Sequence, residues 1–518
     1  MTIEAVQNIF KYRTKIKSVE ELASLLPPRP REKKVIMCHG VFDIVHPGHL
    51  RHLIYAKSKG DILVVSLTAD KHIVKGNIRP HVPEQLRSIN LAALEIVDYV
   101  IIDQDPTPLN NLKILQPDYY AKGYEYINNG PHPKTQEEIK VLEEYGGETV
   151  FSPGDFVYSS SHFIEMAPPK IGEDKLAILM DSEKITFDDL RDTVNSFSET
   201  VIHVVGDTIV DSYTDCSMIG GMTKTPTMSL RIEGKQDYVG GAAIVAKHMK
   251  SAGADVIFST ILGDDQNKNF VLNDLKNSNI QLQPIVDSLR STTNKNAFVV
   301  GDYRVLKVDT VDNRSISEKI LKQLVEQISS NKADGVVFSD FRHGIFNRNT
   351  IPILTAAIQP NVYRVADSQV ASRWGNILEF KGFDLITPNE KEARFALADQ
   401  DSVIRQLGTD LLKKSQAKTL FLKLGDRGLI AFKHSSEVDF FIDSFALRPV
   451  DPVGAGDALL AYSTLAMIKT RNEVIAAILG SFAAAIECEC NGNIPVSRKN
   501  LLEFIDKVEN RVHYQIGC

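Results

Sequence analysis

The sequence predicts an α/β protein with two parallel sheets, each flanked by helices, and a small β lid on the second. Three observations predict it. Short apolar runs alternate with helix-patterned stretches from Lys33 to Phe151 and again from Val201 to Met467, which is the rhythm of strand–helix–strand units and so of parallel sheets. A polar stretch opened by Pro168-Pro169 interrupts that rhythm. The length of 518 residues also exceeds one ordinary domain.

Taken in order, residues 1–32 are expected to form a polar helical extension. In it, Ser18-Val19-Glu20-Glu21 has the capping-box pattern that opens a helix through Leu25, and Pro27, Pro28 and Pro30 stop it. In the first domain, 33–166, strands are expected at Val35–Cys38, Ile62–Leu67, Tyr99–Ile102, Tyr119–Ala121 and Thr149–Phe151, with helices at His46–Lys59 and Gln85–Leu94. Residues 167–198 read as a linker with an entry helix near Phe187–Phe197. In the second domain, 199–518, strands are expected at Val201–Val205, Val256–Leu262, Val336–Ser339, Tyr363–Ala366, Leu385–Thr387 and Leu420–Lys423. Tyr213–Leu230 reads as hairpin or lid material, Gly240–Ala252 and Ala455–Met467 as helices, and the stretch around Ala476–Ile486 as a buried helix. The two halves differ in pattern, so they form a fusion and not a duplication.

Hydrophobic residues make up 43% and charged residues 24%, a soluble globular composition. The net charge of −7 argues against a general nucleic-acid or membrane-surface binder, which needs a basic patch. No apolar run approaches the ~20 residues of a membrane span, and Met1–Lys15 has no signal-type apolar core. The five cysteines are odd in number and widely spaced, so no disulfide framework is implied. These features together predict a cytoplasmic protein, with neither nucleic acid nor membrane as partner.

Two stretches carry chemistry. In Val35–Leu50 a buried strand ends at His39-Gly40, and a loop through Phe42 leads into a helix bearing His46, Gly48 and His49. A helix N-terminus offers free N–H groups and a positive dipole end to an anion. Two imidazoles three residues apart share one face and can donate to the same phosphates. Alone, the pair is better read as an uninvolved surface helix, and as a metal site it lacks ligands. In the second stretch, Asp451-Pro452-Val453-Gly454-Ala455-Gly456-Asp457 precedes a helix. Its glycines permit a tight anion-binding turn, and Asp457 stands where a carboxylate could accept a hydroxyl proton during phosphoryl transfer.

The first stretch resembles the HxGH nucleotidyltransferases, the cytidylyltransferase-like family, over about residues 33–165. Lys75-Gly76 with Arg79-Pro80, Glu84 to Arg87, Pro117-Asp118 with Lys122-Gly123, and Ser159-Ser160-Ser161 follow in the family's order. The resemblance implies a Rossmann-like fold and attack of a sugar phosphate on the α-phosphorus of a nucleoside triphosphate, ATP or CTP. His46, His49 and Lys75 would be catalytic, and His39, Gly40, Phe42, Gly48, Arg87, Lys122, Ser159 and Ser160 would line the nucleotide and its phosphates, with Mg²⁺ bridging them.

The second stretch resembles the ribokinase/PfkB sugar kinases over about residues 199–510. That resemblance implies a ribokinase-like fold with a β lid, ATP and Mg²⁺. Asp457 would be the base. Asn389, Glu392, Lys423, Gly425, Gly454, Ala455 and Gly456 would serve the nucleotide and phosphates, with Glu392 near the metal. Asp207, Asp211, Gly240, Gly241, Lys224 and Asp340 would hold the sugar. The lid implies a homodimer. In both halves the nearest subgroup is the bifunctional heptose-phosphate kinase/nucleotidyltransferases, with the domain order reversed here. Ile244 departs from the family's sugar-contacting Asn, which leaves open a non-catalytic kinase-like half. A different phosphosugar or polyol with CTP is also left open.

Overall fold

The computed structural model describes residues 12–73, 80–123, 133–152, 172–220, 228–301, 303–369, 376–433, 439–446, 449–490 and 492–516. The chain divides into two compact units, residues 1–178 with 511–518 and residues 179–510.

The first unit is built on six strands: β1 (Ile16–Lys17), β2 (Val35–Gly40), β3 (Ile62–Thr68), β4 (Tyr99–Asp103), β5 (Tyr119–Gly123) and β6 (Glu148–Ser152). They lie in the order β1-β4-β3-β2-β5-β6, every pair parallel. Its helices include α1 (Val19–Leu25), α2 (Pro47–Lys57), α3 (Glu84–Ala92), α4 (Leu109–Leu115) and α5 (Pro133–Glu144). Side chains alternate across a strand, and two core clusters follow from that alternation. Ile36 and Cys38 pack with Leu53 and Ala56 of α2 and Leu91 and Ala92 of α3. Val35 and Met37 pack with Leu22 of α1, Leu112 of α4 and Val141 of α5. The sheet is therefore covered on both faces.

The N-terminal stretch is more than an extension. Ser18 and Glu21 close the capping box, Leu22 is fully buried in the core, and β1 forms a sheet edge that the polar residues around it did not announce.

In the second unit the large sheet runs β11-β10-β7-β14-β15-β16-β17-β18-β19. Its strands are β7 (Val201–Gly206), β10 (Asp255–Leu262), β11 (Gln281–Val286), β14 (Gly335–Asp340), β15 (Tyr363–Ser368), β16 (Leu385–Ile386), β17 (Thr419–Lys423), β18 (Leu429–Lys433) and β19 (Phe440–Ile442). All pairs are parallel up to β17, and the last two are antiparallel. A separate four-stranded sheet is the lid, ordered β13-β12-β8-β9. It comprises β8 (Thr208–Gly220), β9 (Ser229–Gly241), β12 (Thr293–Val300) and β13 (Tyr303–Thr310). The hairpin of β8 and β9 follows the sequence reading; β12 and β13 went unread because polar residues break their alternation.

Helices α6 (Ala242–Ser251), α7 (Ala455–Thr470) and α8 (Glu473–Cys488) pack together. Residues 458–467 of α7 are all buried, as expected of a helix apolar on every side. Ile244 is 1% exposed in α6, so its apolar character is explained by core packing. The four described cysteines are free thiols. No helix among the described residues is long and apolar enough to cross a membrane.

Two candidate active sites

In the first sheet β2 is flanked by β3 on one side and β5 on the other. Strand order reverses there, and the crevice beyond the carboxyl end of such a strand is where open α/β sheets bind ligands. His39 and Gly40 end β2, and the chain then enters α2 through Phe42, which has φ +47.

His46 is the cap of α2, in extended backbone, and its Nδ1 accepts the N–H of Gly48 at 3.1 Å. In the neutral ring the proton therefore sits on Nε2. The Nδ1 of His49 lies 3.1 Å from the carbonyl oxygen of Ile44, which can only accept, so here Nδ1 carries the proton and Nε2 presents a lone pair. The two rings stack with centroids 3.8 Å apart, and Phe42 backs His49 at 5.0 Å. A Cβ at position 48 would come within 2.8 Å of the His46 ring, so glycine is what lets the imidazole fold over the helix start. Burial, then the neighbouring Arg51, lowers the pKa of His46. Burial, then His46, takes His49 down to about 4.

Three expected phosphate contacts are placed otherwise. The ring nitrogens of His39 face Ser66 Oγ at 2.9 Å and Thr68 Oγ1 at 3.2 Å, with Asp103 at 3.6 Å, so His39 braces the strand ends. Burial, then Lys122, pushes its pKa down to about 3. Arg87 is wholly buried; its guanidinium donates to the carbonyls of Val41 and Thr68 and pairs with Asp70, so it ties the loop after β2 to the end of β3. Lys122 pairs with Glu138 and donates to Thr135 Oγ1 at 3.1 Å, so a carboxylate already balances its charge. Lys75, Ser159, Ser160 and, in the second unit, Lys224 lie outside the described residues.

Because Arg87 acts as a brace, Arg87→Met is expected to cost the first unit about 1–3 kcal/mol, the penalty for leaving the carbonyls of Val41 and Thr68 without their donor. Urea titration of the full chain should show it as an early transition. A phosphate-binding role would instead appear as weaker nucleotide binding with unchanged unfolding.

The second centre gathers at the carboxyl ends of β7, β15, β16 and β17. Gly454 caps α7 in the left-handed region, φ +91, leaving the N–H groups of Ala455 and Gly456 without intrahelical acceptors. Asp457 follows one residue on. It is 7% exposed, and its Oδ1 has no hydrogen-bond partner among the described residues. Burial, then the Asp367 carboxylate, raises its pKa to about 8 against the pull of Lys423. Lys423 Nζ donates to Asp367 Oδ1 at 3.0 Å; its carboxylate neighbours, Asp367 first, outweigh burial and hold its pKa above the ordinary value.

Asn389 caps the helix Glu390–Leu397: its side chain accepts from the N–H of Glu392, and the Glu392 carboxylate accepts from the Asn389 N–H at 2.7 Å. Gly425 opens a short turn with φ +68 after β17.

Asp211 Oδ2 accepts from Asn493 at 2.9 Å. A Cβ on Gly240 would overlap that oxygen at 2.1 Å. Gly240 and Gly241 end β9 and do not begin the helix; Gly241, at φ +66, turns the chain into α6. Asp207 spends one oxygen on the N–H groups of Phe341 and His343, each at 3.1 Å.

Asp340 is a correction. It is fully buried, with Ser368 at 2.7 Å, Arg342 Nε at 2.8 Å and the Arg342 N–H at 2.8 Å on its carboxylate. Both oxygens are engaged within the fold, which does not fit the sugar contact that the resemblance implied. Sequence reading missed Asp367 and Asn493. Asp367 had one signal, its place at the end of a parallel strand like Asp207 and Lys423.

A Rossmann-like sheet with imidazoles at the helix after its switch strand, joined to a ribokinase-like sheet with a carboxylate behind a glycine turn, defines a protein of nucleotide-dependent phosphate chemistry. The chain belongs to the pfkB family of carbohydrate kinases, whose model matches residues 200–500. Residues 37–166 match the cytidylyltransferase-like model. One stretch is 39% identical over 136 residues to the bifunctional protein HldE of Geobacter metallireducens, covering 26% of this chain and 27% of that protein. Another is 37% identical over 153 residues to the protein of that name from Helicobacter pylori, covering 29% and 30%. The chain thus spans less than a third of the length of these curated relatives. Phosphofructokinase-2 from Escherichia coli, in its tetrameric inhibited form, superposes with a TM-score of 0.50 at 18% identity over 60% of this chain and 99% of that one. The same enzyme with substrates and products gives 0.51 at 17% identity over 60% and 99%. These likenesses show the fold of the second unit.

Proposed function

We propose that the chain joins two transferases of nucleotide-sugar synthesis. The kinase half, 199–518, passes the γ-phosphoryl of ATP to a hydroxyl of a sugar or sugar phosphate, heptose 7-phosphate being the first choice. The other half, 33–166, moves a nucleotidyl group from ATP or CTP to a sugar 1-phosphate and releases pyrophosphate; residues 167–198 link them. The observation that carries this reading is Asp457, a buried carboxylate with one oxygen unpartnered among the described residues, directly behind a glycine turn whose N–H groups are free for a phosphate.

Asp207 and Asp211 would orient the sugar hydroxyls beside Gly240-Gly241, with Lys224 at a phosphate. His46, His49 and Lys75 would meet the triphosphate, with Ser159 and Ser160 beside it. Among the described residues no group of three or more His, Cys, Asp or Glu side chains could hold a metal ion. The metal proposed for both reactions is Mg²⁺, which binds through one or two carboxylates, waters and substrate phosphates. Glu392 is a candidate ligand, although one of its oxygens caps its own helix. When bound, Mg²⁺ neutralises phosphate charge. Exposed apolar side chains on the lid, Leu306, Val308 and Ile232, support a homodimer through that sheet, and a cytoplasmic location suits free nucleotide substrates.

The test is incubation with candidate sugar phosphates and each nucleoside triphosphate, following ADP and pyrophosphate separately. His46→Ala is expected to lower pyrophosphate release about 10²–10³-fold, as for loss of one donor to developing charge, and to leave ADP release intact. Neither product with any sugar phosphate would sink the reading. Its second form, a different phosphosugar or polyol with CTP, is separated by the same screen.

A further inference from the structure

We infer that Asp367 is a positioning residue of the kinase centre: it holds the Lys423 ammonium against the Gly454–Asp457 turn and keeps it off Asp457. The inference rests on the kinase reading above.

Three adjacent strands end here. Asp367 is the penultimate residue of β15, Thr387 follows β16, and Lys423 ends β17. Asp367 Oδ1 accepts from Thr387 Oγ1 at 2.9 Å and from Lys423 Nζ at 3.0 Å. Asp367 is 2% exposed, so the pair is out of water, where a charged hydrogen bond fixes geometry strongly. A Cβ on Gly456 would lie 3.3 Å from Lys423 Nζ. The ammonium therefore sits directly against the anion turn, at the height of the N–H groups that would receive a phosphate chain. Within this arrangement Lys423 serves the phosphoryl group and not the nucleoside.

The second part follows from what Asp457 lacks. Lys423 is close enough to Asp457 for each to influence the other's charge, yet Lys423 donates to Asp367, and Asp457 Oδ1 stays unpartnered among the described residues. A base needs that oxygen for the hydroxyl proton. An ammonium released from Asp367 would take it, since an oppositely charged neighbour out of water is the strongest partner on offer.

The experiment is a double-mutant cycle on the full chain, reading ADP release. Lys423→Met is expected to lower kcat about 100-fold with KM for ATP changed less than about threefold. Asp367→Asn should lower kcat about 10–30-fold by misplacing the same lysine, and its acid limb should move to lower pH as Lys423 turns to Asp457. The double variant should be no worse than Lys423→Met, because the two act as one unit. Additive losses, or a loss carried by KM alone, would overturn the inference and leave the kinase reading standing. A parent with no ADP release would overturn both. If Asp367→Asn does not fold, Thr387→Val decides: it leaves both charges and removes one bond to the same oxygen. A kcat lowered about threefold at constant KM supports the inference; a change in KM alone overturns it.

Discussion

Asp457→Asn is expected to lower ADP release by about 10²–10⁴-fold, the usual contribution of a positioned general base, while pyrophosphate release stays within about twofold. Asn keeps the size of the side chain and fills the same buried space, so lost rate would not reflect a cavity. It cannot accept a proton. The parent should report the same group through pH. Burial and then Asp367 hold the Asp457 carboxyl at about 8, so below that pH the carboxyl is protonated and cannot act as a base. Kinase kcat should therefore rise as pH climbs toward 8 and flatten above it. Bound ATP adds negative charge and would move the limb upward, and Mg²⁺ would offset this. An Asn variant that keeps a tenth of the parental ADP release would rule out Asp457 as the base. A folded variant that has lost both activities would contradict two separate centres.

Much of this was legible because parallel sheets announce themselves. The runs at Val35, Ile62, Val201 and Val336 are apolar but for residues such as Ser66 and His203, since both faces of each strand are covered, and motifs at their carboxyl ends fall where ligands bind. The illegible parts have physical causes. The lid strands β12 and β13 carry Lys295, Asn296, Arg304 and Lys307 on a two-sided, half-wetted sheet, so their alternation is broken. Strand β1 is two residues long, too short for any period. Burial was the main blind spot at the sites. Arg87, His39 and Asp340 are the residue types that grip phosphates and sugars, and sequence cannot say that Val41, Ser66 and Ser368 already occupy them. Asp367 was missed for the opposite reason. It stands in no glycine turn, and its importance comes from β16 and β17 lying beside β15.

Nucleoside triphosphate binding to the first unit is expected to take up about half a proton at pH 7 and close to one near pH 6, through His49. The geometry requires it. His46 can donate from Nε2 as a neutral ring, because Gly48 N–H occupies its Nδ1. His49 cannot: its only proton is committed to the Ile44 carbonyl, so its Nε2 lone pair would face an anionic oxygen. The remedy is a second proton. Free His49 sits at about 4, held down by burial, then by His46, with His52 adding to this and the Ile44 bond opposing it. Arg51 on the same helix acts on His46. A polyphosphate brings enough negative charge to reverse that balance, and raising the pKa from about 4 to about 7 corresponds to roughly 4 kcal/mol of interaction. Because the complex holds the proton more tightly than the free protein, affinity should be greatest at low pH and weaken as pH rises through the pKa of the complex. Calorimetry of triphosphate binding in buffers of different ionisation enthalpy measures the uptake directly. His49→Ala should abolish it and lower pyrophosphate release about 10²–10³-fold. Heats that do not depend on the buffer between pH 6 and about 8, with tight binding retained, would show that the second imidazole meets the nucleotide unprotonated or not at all.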